Sequence, residues 1–137
     1  ELYAYHVTTG TLEKLQLPET LQNTIVDDFD GQRLYYTGSD HDSVKVTVYD
    51  IAAGTVTNEL QLPYEAASPD ALPRVTARAG YLFLLDDRTS PERNPMFTIA
   101  DAVTGEVVYR GQIAVDPAFE QHGDDYILDI SKIHVTF

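Results

Sequence analysis

A chain of 137 residues with 43% apolar and 23% charged residues has the composition of one folded domain and is too apolar for a disordered segment. Nine Lys and Arg against 22 Asp and Glu give a net charge of -13, which repels phosphate backbones and anionic membrane surfaces at long range and makes nucleic acid an unsuitable partner. No cysteine is present, so disulfides, thiolate zinc sites and a cysteine nucleophile are excluded, and apolar runs such as Tyr81 to Leu85 fall far short of the roughly 20 residues of a membrane-spanning helix, so no direct membrane insertion is expected.

The chain opens on Leu2-Tyr3-Ala4-Tyr5, alternating as though already inside a strand and with no signal peptide ahead of it, which reads as part of something longer. His6 leads over three residues to Gly10, and a second alternating stretch ends in the phrase Leu15-Gln16-Leu17-Pro18. Ile25-Val26 reads as the next strand, followed by an Asp30-Gly31 turn and Leu34-Tyr35-Tyr36; Gly38 to Ser43 reads as a loop. The first hairpin then recurs as Val46 to Asp50, Gly54, and Val56 to Pro63, with the LQLP phrase whole at Leu60 to Pro63. Val75-Thr76-Ala77, Gly80 and Tyr81 to Leu85 repeat the second element, and Phe97 to Asp101, Gly105 and Val107 to Ile113 give a third hairpin. A weaker inner pair has Gly123 before Tyr126-Ile127-Leu128, and Ile133 to Phe137 reads as a final strand.

The three hairpins have a common mechanism. His6, Asp50 and Asp101 stand four residues before Gly10, Gly54 and Gly105; an Asp side chain can bond the turn backbone while Gly takes the positive φ that closes it, and His6 departs from this pattern. Each unit supplies four short strands in roughly 45 to 50 residues, the size of a propeller blade, and no long stretch carries a helical period. The expected fold is all-β: antiparallel four-stranded blades in a single domain, 1–137, with repeats at about 2–43, 44–95 and 96–137. A β-sandwich with generic hairpins is the competing architecture.

The order of inner strand, DG turn, LYY-like strand, VTVYD strand, xxxG turn and TVxxxLQLP strand resembles the YVTN-type and related quinoprotein-like β-propellers over nearly the whole chain. There is no Trp for a WD dipeptide and no kelch-type double glycine. With strands named a to d from the axis outward, the chain reads as c, d, two full blades, then a, b and a last strand matching c. Propellers close with about four to eight blades, so the resemblance implies that further blades or other subunits complete the ring.

In that architecture the long connections share one rim: Gly38 to Ser43, Pro63 to Pro73, Asp86 to Pro95 and Ala114 to Gly123. Loops on a rigid scaffold are where binding residues concentrate, so Asp40, His41, Asp42, Tyr64, Asp86, Asp87, Arg88 and Arg93, with Asp116, are the expected exposed binding residues. Asp40-His41-Asp42 holds metal-type ligands but in consecutive order, which reads better as a solvated loop. Asp27 to Gly31 lacks the spacing and closing Glu of a calcium loop. The four histidines have no ligand spacing, no G-x-S-x-G elbow occurs, and most tyrosines fall in strands where packing is their ordinary role.

No catalytic residue, metal site or cofactor is therefore expected. The expected function is a non-catalytic binding or scaffolding module for a protein or glycan, bacterial and extracytoplasmic. The alternative is a piece of a propeller enzyme, a hydrolase or quinoprotein-like oxidoreductase with an axial active site.

Overall fold

A computed structural model describes residues 1–40, 43–64, 73–86 and 96–113, Ser39 and Asp40 by backbone alone. The third inner pair around Gly123 and the strand expected at Ile133 to Phe137 lie outside the described residues. In chain order the elements are β1 (Tyr3–His6), β2 (Thr11–Lys14), a 3-10 turn at Glu19–Leu21, β3 (Asp28–Phe29), β4 (Arg33–Asp40), β5 (Ser43–Asp50), β6 (Thr55–Pro63), β7 (Val75–Arg78), β8 (Tyr81–Leu85), β9 (Met96–Asp101) and β10 (Val107–Gln112). The fold is all-β. A two-stranded hairpin, β1-β2, accompanies two four-stranded antiparallel meanders, a middle sheet β3-β4-β5-β6 and a last sheet β7-β8-β9-β10, none closed into a barrel.

The three hairpin turns share one geometry. Gly10 N donates to His6 O at 2.7 Å, Gly54 N to Asp50 O at 2.9 Å and Gly105 N to Asp101 O at 2.9 Å. All three glycines have φ between +67° and +74°, a backbone conformation that costs a side-chain-bearing residue about 1 kcal/mol or more. Asp50 Oδ1 accepts from Ala53 N at 2.9 Å, and Asp101 Oδ1 from Val103 N and Thr104 N, each at 2.8 Å. These backbone donors, Ala53 for the first and Thr104 then Val103 for the second, hold both carboxyls below the usual range. His6 has no carboxylate to place there, and its Nε2 lies 3.1 Å from Glu13 Oε2 across the hairpin.

The register explains the one-residue offset of the repeated LQLP phrase. Val48 opposes Asn58 and Tyr49 opposes Val56, leaving Thr57 as an extra residue in β6, and Val108 is the extra residue in β10. Both are β-bulges; the β1-β2 pair has none.

The sheets stack in sequence order. One face of the middle sheet (Val44, Val46, Val48, Leu60, Leu62 and Tyr35) packs on the last sheet through Val75, Ala77, Leu82, Leu84, Ala100 and Ala102. Its other face (Leu34, Tyr36, Tyr49, Val56) meets Leu2, Leu15 and Leu17 of the hairpin segment and Leu21 of the 3-10 turn. The first strand of one sheet lies beside the first strand of the other, Ala77 N donating to Asp28 Oδ2 at 2.7 Å, and last beside last, Arg110 Nη1 donating to Pro63 O at 2.9 Å.

Three expectations change. Ile25-Val26 is not a strand: Asp27 Oδ2 accepts from Thr37 N at 2.7 Å, taking the place of the backbone carbonyl that would have extended the ladder, so β3 shrinks to two residues and Ile25 is exposed. Gly38 to Ser43 is not a long loop, since β4 and β5 stay paired to Asp40↔Ser43 and only two residues join them. The strand tyrosines divide: Tyr35, Tyr36 and Tyr49 are buried, whereas Tyr3, Tyr5, Tyr81 and Tyr109 are exposed.

Candidate functional site

The alternation of strand direction fixes what lies at each end of the stack. At one end sit the turns at Gly31 and Gly54, joined by Ile51 N to Gln32 O at 3.1 Å, and those at Gly80 and Gly105, joined by Ala102 N to Gly80 O at 3.0 Å, while the short β4-β5 connection lies at the other. At the opposite end the chain leaves β6 at Pro63 to reach β7 at Val75, and leaves β8 at Leu85 to reach β9 at Met96. Contacts between Thr37 and Pro73 and between Arg110 and Pro63 bring these strand ends of both sheets together.

Of the residues expected to bind there, His41, Asp42, Asp87, Arg88, Arg93 and Asp116 lie outside the described residues, and Asp40 is the last residue of β4. Tyr64 and Asp86 are described, and they are not exposed. Tyr64 is 1% accessible and belongs to the core between the two four-stranded sheets, because the alternation of β6 that buries Leu60 and Leu62 carries on to it. Asp86 is 0% accessible: its amide donates to Met96 O at 2.9 Å and its Oδ2 lies 3.3 Å from Arg110 Nη2.

The residue that sequence reading passed over is Arg110. Its Nη1 also donates to Thr98 Oγ1 at 2.8 Å, so one guanidinium links β10, β9, the end of β8 and the last carbonyl of β6. The available signal was a lone Arg in the third repeat at a register position where β6 carries Glu59. A planar fork that reaches several acceptors at once is what Arg supplies and Lys does not.

A second polar knot lies beside it. Asp27 Oδ2 receives both the amide and the hydroxyl of Thr37, and the same hydroxyl lies 2.7 Å from Pro73 O, tying β4 to the segment entering β7. Burial pushes the Asp27 carboxyl up, a rise that the Thr37 donors and the Arg74 charge only partly offset and to which Asp28 adds. Asp30 goes the other way: burial raises it, but hydrogen bonds from the Tyr35 hydroxyl (2.7 Å), Gln32 N and Arg33 N hold it low, and burial with the Asp30 bond pushes Tyr35 up to about 12. The acids of Asp27 to Gly31 are thus committed to three different structural bonds, and among the described residues no three His, Cys, Asp or Glu gather to hold a metal.

Comparison with protein-family models, curated proteins and solved structures finds no match. The chemistry of the site therefore rests on its residues alone.

Away from this end, a cavity of about 660 Å³ lies between the hairpin, the 3-10 turn and β4, lined by Leu2, Leu15, Leu17, Leu21, Val26 and Tyr36 among others. The Tyr36 hydroxyl is buried without a hydrogen-bond partner among the described residues, and burial pushes its pKa above the usual phenol range. An unsatisfied buried hydroxyl costs about 1 to 3 kcal/mol, so Y36F is expected to stabilise the fold by about 1 kcal/mol, read as a thermal midpoint a few degrees higher. A lower midpoint would show that the hydroxyl has a bonding partner in solution.

Proposed function

We propose that the chain is a non-catalytic binding or scaffolding module built of propeller-type blades, recognising a protein or glycan at the end of the stack where the long connections emerge. The observation that carries this reading is the separation of the two ends: the turns at Gly31, Gly54, Gly80 and Gly105 lie at one, and the strand ends leading into residues 65–72 and 87–95, with the short β4-β5 connection, lie together at the other. Extended connections held at a common end of stacked sheets make a recognition surface on a rigid support. Inner strands beside inner strands and outer beside outer are the arrangement of neighbouring blades, which favours this over two sheets of a sandwich. Tyr64 and Asp86 are buried, and among the remaining candidates we place recognition on Arg88 and Arg93.

The test is a glycan array and a displayed peptide library, both probed with the labelled chain. A ligand so found should bind the R88A/R93A double variant at least about tenfold more weakly, equivalent to ~1.4 kcal/mol, with the unfolding midpoint unchanged. Failure to bind in both formats, or an affinity that survives this double change and falls when the turn end at Val103 and Thr104 is altered, overturns the proposal.

A further inference from the structure

The stack repeats one contact: each sheet lays the same face on the next. In the middle sheet, Val46, Leu60 and Leu62 sit on the last sheet; in the hairpin segment the matching Leu2, Leu15 and Leu17 sit on the middle sheet. The receiving face is equally regular. Tyr49 and Val56, a cross-strand pair, receive the hairpin, and Tyr49 is 2% accessible with its hydroxyl 3.3 Å from Gln16 O. The pair that occupies this place in the hairpin is Tyr5 and Leu12, and these are 63% and 67% accessible, with Tyr3 beside them at 50%.

From this we propose that the outer face of β1-β2 is the docking surface for a second copy of this chain, packed head to tail so that a sheet of one copy continues the stack of the other. The occupant follows from continuity with the contact already repeated within the chain. A sheet of this same repeat carries the complementary face, as Phe97 and Ile99 of β9 correspond to Val46 and Val48 of β5. The surface itself is close to neutral in a chain of charge -13: its one cation, Lys14, is paired with Glu1 at 2.7 Å. The exposed strand β1 carries no Pro, no Lys and no bulge, the devices by which edge strands are usually kept from associating. A two-stranded hairpin is also marginal by itself, so a covering layer stabilises it.

Sedimentation of the 137-residue chain over a range of concentration and salt tests this. The expected result is a discrete multiple of 15.3 kDa whose association tightens as salt rises, since screening relieves the repulsion of two strongly acidic copies. Y5K and L12K, both at exposed positions, should each weaken association at least about tenfold as a charge enters an apolar contact, while circular dichroism and the monomer's unfolding midpoint stay as they are. R88A/R93A should leave the association untouched, which separates this surface from the recognition end. A mass of one chain at every concentration, or association indifferent to both lysine variants, overturns the proposal.

Discussion

Replacing Arg110 by Met should lower the unfolding free energy by about 3 kcal/mol, roughly a 10 °C fall in midpoint for a domain of this size. The cause is what the substitution leaves behind. Asp86 is fully enclosed and loses its ion pair with this guanidinium, and Thr98 and the Pro63 carbonyl lose a donor at the same time. Met fills most of the volume of the Arg stem, so the loss reports electrostatics and hydrogen bonding more than packing. A loss below about 1 kcal/mol would mean that the pair is solvated and has no structural weight.

Asp28→Ala should cost about 2 kcal/mol, within the range for hydrogen bonds to a charged group. Asp28 lies on β3 but serves β7: its Oδ2 accepts from Ala77 N at 2.7 Å and from Arg78 Nη1 at 3.2 Å. Ala77 is buried, so its amide has no water to turn to when the acceptor is removed. The Arg78 contact counts for much less, because that guanidinium is more than half exposed. Asp28→Asn separates the two, keeping a carbonyl oxygen for Ala77 while removing the charge, and should cost only about 0.5 kcal/mol. Hydrogen exchange at Ala77 gives the local readout: protection should collapse in the Ala variant and persist in the Asn variant. Equal losses in both would assign the energy to the ion pair.

The hairpins were legible in the sequence because their chemistry is local. Gly10, Gly54 and Gly105 sit where only a residue tolerant of positive φ is cheap, and Asp50 and Asp101 bond the amides two or three residues ahead, all within a few residues of one another. The meander order was legible for the same reason, since each strand pairs with its sequence neighbour. Composition misled at Gly38 to Ser43, where small polar residues at the end of a long hairpin look like a loop although the ladder continues through them. It misled again at Ile25-Val26, whose apolar pair suggests a strand but whose successor Asp27 captures the Thr37 amide. Tyr64 and Asp86 stand at strand ends, where sequence alone does not separate a side chain folded back into the core from one turned to solvent. Arg110 finds its acceptors 12, 24 and 47 residues away, beyond the reach of any spacing rule.

The meander order also governs how the chain acquires its structure. Residues 28–63 hold every strand of the middle sheet and 75–112 every strand of the last, with no strand borrowed from the other. Loop-closure cost is therefore small within each sheet, and the middle sheet can assemble on a ribosome before the last one has been synthesised. Native-state opening should follow the same division, with each sheet exchanging as its own cooperative block and the core that both share supplying the coupling between them.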